Sequence, residues 1–439
     1  MKVLKKLGRI ISRIVLAVVV LLFIVFLIFT APSWWRHWVV YPRLEQERAE
    51  LLTKRKTPQK FIELADYKGI FHTHCYWSHD SRGVLKEIIP AAKKAKLQFI
   101  FFSDHPHARL DTFPRAYHGT YDGIVMVSGT ETGSGLMVCP MDSVTINWSE
   151  NEDRIIHRIV TNGGLVLYVH TEKPHRWANP DYQGMEIYNI HTDLLDEKSI
   201  TPIIIDAAVN AKKYRPWVYR QFYDDQFTIW ARWDSLNMKR RIVGMAGVDA
   251  HNNQNIRAHY LSDGRVEWVG PNAETLAIVK PGFKEKLLLG KPDAAGWAFK
   301  WEIDTYFASF HFVNTHVFSD TLSAGAIRNN LVKGHAYVSF EHLAEADGFQ
   351  FFARDRKGRI AAIMGDSISV ADVKSLHAVS PLPVQFQCLR NGRVINQTTE
   401  VYNWQFDPQS KAGVYRIVAN VKLGDEWKTW VLSNPIYLY

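Results

Sequence analysis

Two histidines in a His-x-His pair, His72 and His74, and an Asp-x-His pair at Asp249 and His251 carry side chains that bind metal ions. A strand places residues two apart on one face, so each pair can hold one cation. Between the pairs lie Asp104-His105, Glu131 and His170, with His79 and Asp80 in the loop just after His74. Mixed imidazole and carboxylate donors suit zinc, manganese or iron. Each piece alone is weak, because a single His-x-His is more often a satisfied or surface pair and a lone Asp-His is usually a cap. The combination is different. Five successive apolar runs each end in His, Asp or Glu, and burying such groups is costly unless something offsets their lost hydration. Bound divalent metal ions (Zn, Mn or Fe) would do so.

Short apolar runs alternate with helix-like segments from about residue 65 to 252. Lys68–His74, Gln98–Ser103, Gly123–Ser128, Gly164–His170, Met185–Asn189 and Ile242–Val248 read as strands. Gly83–Lys96 and Glu152–Asn162 read as helices, the second stopped by Gly163-Gly164. This β-then-α order implies a parallel sheet or barrel, in which the carboxyl ends of the strands meet on one face and bring the ionisable residues together. Residues 194–240 break the pattern as a helical insertion rich in Trp and Tyr, and 281–342 read as a helical and loop bridge. From about 343 the texture becomes all-β. Strands at Phe349–Arg354, Val384–Leu389, Val414–Lys422 and Trp427–Leu432 are separated by turns that include Asn391-Gly392. A β-sandwich over 343–439 is expected.

Ile14–Thr30 is an almost wholly apolar run, long enough to cross a bilayer as a helix. Lys2, Lys5, Lys6, Arg9 and Arg13 precede it, and Trp34, Trp35 and Trp38 follow it. That order favours a cytoplasmic N-terminus and an aromatic belt at the far interface. Residues 1–35 therefore read as an uncleaved signal anchor, since the run exceeds a typical secretory core and lacks a clean cleavage site. Residues 36–64 read as an exposed juxtamembrane spacer. The body is then extracytoplasmic, periplasmic if the source is Gram-negative. The net charge of +9 falls to +4 once the five N-terminal bases are set aside, and no basic stripe follows, so no nucleic-acid partner is expected. The three cysteines, Cys75, Cys139 and Cys388, have no CxxC spacing and build neither a disulfide framework nor a zinc ribbon.

The ordered set resembles the PHP superfamily (polymerase and histidinol phosphatase domains) over about residues 66–252. Phe71-His72-Thr73-His74 with Ser78-His79-Asp80-Ser81 is similar to its opening motif, and Phe102-Ser103-Asp104-His105 to its second. Glu131, His170 and Asp249-Ala250-His251 match the motifs that follow, although Thr171 stands where proline is usual. The resemblance implies a distorted (β/α)7 barrel holding two or three metals. The ligands it implies are His72, His74, His105, Glu131, His170, Asp249 and His251, with His79 and Asp80 competing for one further place. His191, after the strand containing Glu186, is a further candidate of equal weight to an ordinary loop histidine. Gly184–Asn189, Gly348–Phe351 and Leu432–Tyr437 are similar to the carbaryl hydrolase-like (CehA/McbA) branch.

The chemistry expected is hydrolysis by a metal-bound hydroxide, with His72, His74, Asp104, His105, Asp249 and His251 as the catalytic set. A small-molecule phosphate ester is the substrate the resemblance implies, and a carbamate or carboxylic ester is the rival. Arg82, Lys173, His107 and His175 lie near the motifs and are candidates for an anionic substrate, each more often a solvated loop residue. A reading from another class is a membrane-tethered binding protein on a degenerate barrel.

Overall fold

A computed structural model describes residues 2–106, 117–141 and 146–439, with side chains from Ile10 onward. The chain is mixed α/β around one large sheet. Six neighbouring strands run parallel, in the order Ile124–Val127, Phe99–Phe101, Ala65–Thr73, Val243–Ala250, Gly184–Asn189 and Leu165–Tyr168. Their sequences are continuous apolar runs because both faces are covered. Phe71, Phe101, Val127 and Leu167 pack on one side, and Ile70, Ile100, Met126 and Val166 on the other. The two expected helices form at Leu85–Lys94 and Glu152–Thr161, the latter capped by Asn151, whose side chain accepts from Asp153 N. Helices Ile190–Leu195, Thr201–Tyr219 and Phe227–Asn237 make up the insertion.

Residues 281–342 are not the helical and loop bridge that the sequence suggests. Asn314–Ser319 lies antiparallel to the start of Ala65–Thr73 and pairs with Ala336–Ser339, which in turn pairs with Glu426–Ser433. The sheet thus runs unbroken into the C-terminal strands. A second sheet has the order Thr275–Val279, Val266–Val269, Asn255–Tyr260, Trp297–Glu302. Asn314, Thr315 and His316 are fully or nearly fully buried, so polar residues on the inside conceal the alternation that marks a strand.

At this joint the charges are internal. His316 Nδ1 lies 2.9 Å from Asp66 and its Nε2 3.4 Å from Glu341, and Lys68 Nζ meets Glu341 at 3.2 Å. Burial opposes a charge on His316, but Asp66 and Glu341 outweigh it and lift its pKa from 6.5 to about 10. A raised folded pKa contributes stability that is full below the unfolded value and is lost as pH climbs through the folded one. Unfolding free energy is therefore expected to decline between pH 6.5 and 10. Denaturant titrations across that window should show a shallower decline in His316→Gln.

The segment 36–64 is not an exposed spacer. Tyr41–Thr53 is a helix with Tyr41 and Leu51 buried, because one of its faces is apolar enough to pack on the body. Trp217 Nε1 donates to Glu45 at 2.6 Å, and Arg48 and Arg55 donate to the carbonyls of His342 and Glu345. Before it, Lys2–Trp35 is a single helix, long and apolar enough to span a membrane, with its apolar side chains from Ile10 to Phe29 exposed. Its end docks on Thr201–Tyr219: Asn210 Nδ2 donates to Ser33 O at 2.9 Å, His37 and Asn210 meet at 2.7 Å, and Arg36 reaches Asp206 at 3.5 Å.

Two contacts tie the C-terminal strands to the rest. Arg416 makes a bidentate pair with Asp234 of the insertion, both bonds 2.7 Å. Asn434 clamps the strand Val243–Ala250, accepting from Gly244 N at 2.8 Å and donating to Gly244 O at 3.0 Å.

Candidate metal centre

The site lies where the parallel strands end, and its backbone is irregular. His72, His170 and Asp249 are non-glycine residues at φ 59°, 50° and 45°, a left-handed conformation that side chains adopt at some cost. Pairing between Ala65–Thr73 and Val243–Ala250 slips between Phe71 and Thr73. His72 and His74 therefore converge through a bulge and not by regular alternation, a device that re-aims side chains beside functional sites.

Donor atoms gather in two groups, each within 4.8 Å: His74, Asp80, His105 and His251, and His72, His74, Glu131 and Asp249. His74 belongs to both. Its Nε2 stands 3.3 Å from Glu131 Oε2 and from Asp249 Oδ1, and its ring stacks on His251 at 3.9 Å. His72 Nε2 lies 2.9 Å from Glu131 and 3.1 Å from Asp249. His251 Nε2 approaches Asp80 at 3.1 Å, and His105 Nε2 approaches it at 3.6 Å. His170 Nε2 sits 3.2 Å from the other oxygen of Glu131. His191 Nδ1 lies 2.9 Å from Asp249 Oδ2. Asp249 Oδ1, Asp80 Oδ1 and His251 Nε2 are buried without a hydrogen bond. Lone-pair donors that face one another in this way suit shared cations, so these residues fit the metal ions expected of them.

The charges agree. Burial opposes ionisation of Glu131 and Asp249, but His72 and its fellow imidazoles hold both carboxyls well below the usual range. His251 is raised to about 9 despite burial, by Asp249 and then Asp80. His105 is pushed down to about 4 by burial and by His74, which keeps a lone pair available as a ligand requires.

Of the two residues competing in the first loop, Asp80 enters a group, whereas His79 is exposed and packs against the His105 ring at 5.2 Å. Asp104, expected in the catalytic set, joins neither group. Its carboxylate turns to the loop after His74, accepting from Cys75 N at 2.7 Å and Cys75 Sγ at 3.0 Å. It ends a strand like the others, but the amide of Cys75 claims it. Ser78 Oγ accepts from His105 N at 2.8 Å and meets His74 Nδ1 at 3.0 Å, which orients two of the donors. Tyr306, from outside the motif region, donates to His74 O at 2.7 Å.

Glu186 is the residue that motif reasoning did not place. Buried in the strand Gly184–Asn189, it lies 2.5 Å from His72 Nδ1 and accepts from His170 N at 2.7 Å and Asn189 Nδ2 at 3.0 Å. Gly247 makes room for it, since a Cβ there would come 1.7 Å from Glu186 Oε1. A carboxylate flanked by apolar residues inside a buried strand is the one signal that could have found it. Such partners fix the ring and tautomer of a ligand histidine, and their loss costs about 10–100-fold in metal affinity. Glu186→Gln is expected to weaken metal retention to that extent, measured by competition with a chelator.

A cavity of about 530 Å³ opens beside the groups, lined by His105, Glu131, His170 and His191 together with Lys173 and Arg232. Lys173 is thus the anion candidate at the cavity. Arg82 instead pairs with Glu267 at 3.5 Å, and His175 stacks on Tyr168 at 4.6 Å. His107 lies outside the described residues.

No family model matches the chain, and no curated protein matches it. Among solved structures, a two-domain protein from Bacteroides vulgatus, described as containing a predicted PHP-like metal-dependent phosphoesterase, is similar over 87% of this chain and 98% of its own. The identity is 11% and the TM-score 0.36. Histidinol phosphate phosphatase from Lactococcus lactis, solved with zinc, L-histidinol and phosphate, is similar over 40% of this chain and 72% of its own, with 14% identity and a TM-score of 0.16.

Proposed function

We propose that the chain is a metal-dependent hydrolase of the PHP type, acting on a small-molecule phosphate ester and anchored in a membrane by its N-terminal helix. The observation that carries this reading is the pair of donor groups joined at His74, with buried donor atoms that make no hydrogen bond. The motif order and the parallel strands ending at the site support a distorted (β/α)7 barrel. The exposed apolar helix supports the anchor, and an extracytoplasmic body follows from the bases that precede it.

In this reading His72, His74, Glu131, His170 and Asp249 hold one side of a di- or trinuclear centre, and His74, Asp80, His105 and His251 the other. Bound there, divalent ions supply an acidified water and positive charge for the oxygens of the ester. Glu186 holds the His72 ring, and Ser78 the His74 ring. His191 lines the cavity with Nδ1 on Asp249, placed to pass a proton to the leaving oxygen. Lys173 and Arg232 flank the same cavity and favour a phosphate over a neutral carbamate or carboxylic ester.

The test is metal analysis of the purified full chain, coupled to a panel of aryl phosphates, carbamates and carboxylic esters. Two or three metals per chain are expected, with phosphatase activity lost to a chelator and restored by zinc, manganese or iron. Less than one metal per chain and no turnover on any of the panel would favour a binding protein instead.

A further inference from the structure

The second sheet ends in a segment that is built inside out. On an ordinary surface helix the apolar residues turn toward the core. In the helix Phe283–Leu288 the acid turns inward: Glu285 is buried, accepting from Gly282 N at 3.0 Å and from Trp268 Nε1 at 3.3 Å. Phe283 and Leu287, one turn apart, are 84% and 71% exposed. The edge strand just before it, Thr275–Val279, exposes Leu276 and Ile278 as well. Lys280, Lys284, Lys286 and Lys291 intersperse these residues, and the only acid between 280 and 291 is Glu285, whose carboxylate is occupied. Exposed Phe and Leu set among lysines are the composition of an element that lies in a membrane interface.

We infer that this segment rests on the anionic surface of the bilayer that holds the N-terminal helix, as a second point of contact; the inference rests on the anchor proposed above. Charge complementarity selects the occupant, because lysines at a bilayer surface are drawn to anionic lipid. Continuity supports it. The helix Thr201–Tyr219 that docks on Ser33, Arg36 and His37 also holds the base of this sheet. Arg215 Nη1 donates to Ile303 O at 3.3 Å and Thr305 Oγ1 at 2.9 Å, and Tyr219 Oη donates to Ile303 O at 3.3 Å. The sheet is thus rooted one helix away from the point where the chain leaves the apolar segment. Two contacts restrain the tilt of the body, and with it the direction in which the cavity at Lys173 and Arg232 opens.

The experiment reconstitutes the full chain in vesicles carrying nitroxide-labelled lipid, with a fluorophore on Leu287→Cys. The native Cys75, Cys139 and Cys388 are buried and will not compete for the label. Val394→Cys, an exposed position in the strand Arg393–Gln397, is the control. In phosphatidylglycerol–phosphatidylcholine vesicles the label at 287 is expected to be quenched several-fold more than the label at 394. The difference should fall when Lys280, Lys284 and Lys286 are all replaced by Glu, or when phosphatidylglycerol is omitted. Equal quenching at both sites overturns the inference, as does energy transfer between labelled copies that accounts for the signal at 287. Failure of the chain to float with vesicles at all overturns the anchor instead, so the two readings fail separately.

Discussion

Asp249→Ala is expected to strip the centre of at least one metal per chain and to reduce turnover by more than about 100-fold, the upper end of what losing a mere supporting partner costs. Asp249 is the residue that most of the site touches. Its Oδ1 faces His72 and His74 at 3.1 and 3.3 Å, and its Oδ2 faces His191 and His170 at 2.9 and 3.6 Å. Its main-chain oxygen accepts from His251 Nδ1 at 2.9 Å. Alanine would keep the last contact and remove the others, leaving His72 fully buried beside one fewer carboxylate. A structural defect alone would lower the stability of metal-loaded and metal-free protein alike. Loss of a ligand abolishes chiefly the extra stability that binding confers, which scales as RT ln(1 + [L]/Kd). Thermal unfolding with and without added metal separates the two. Full metal content and full turnover in this variant would remove Asp249 from the centre.

The largest effect on stability is expected at Arg416. Its pair with Asp234 is buried on both sides, at 3% and 9% exposure, and joins the last strands to the insertion. Removing one partner of a buried pair strands the other charge, at about 3–5 kcal/mol. Arg416→Ala should therefore shift the denaturation midpoint strongly downward. Because a well-packed apolar replacement of both partners is often neutral, Arg416→Met combined with Asp234→Leu should recover most of the loss. Metal content per folded molecule should be unchanged in either, as neither residue belongs to a donor group. A double variant no more stable than the single would mean that packing around Trp233, over which the guanidinium sits at 5.3 Å, matters more than the charge.

Those two predictions differ in how far the sequence foretold them. Asp249 was legible because its strand is a buried apolar run that ends in an Asp-x-His pair, and a cost of burial needs a cause. The parallel strands were legible for the same reason: Phe99–Phe101 and Ile124–Val127 have no polar face to show. The choice between His79 and Asp80 was not, since both have ligand chemistry and only the path of the loop decides which turns inward. Asp104 ends its strand like the others, while the bond it accepts from the amide of Cys75 leaves no trace in a pattern of side chains. Glu186 escaped because it acts through His72. The pairing of Asn314–Ser319 with Ala65–Thr73 joins segments about 250 residues apart, and nothing local to either encodes the other. Residues 36–64 read as an exposed spacer, yet Glu45, Arg48 and Arg55 find partners on the body.

The clamp of Asn434 on Gly244 bears on timing. The two residues are 190 positions apart, and at about 5–20 residues per second synthesis takes about 10–40 s to cover that gap. For that interval the strand bearing Asp249 has emerged without the contact that later holds it in register. Donor side chains are then already present, but not at fixed distances, and contacts of such long range form late. Ions captured early would meet a loose set of imidazoles and carboxylates, with the selectivity of those groups alone. On the proposed metal-binding reading, selection by geometry would begin only when the final strands dock.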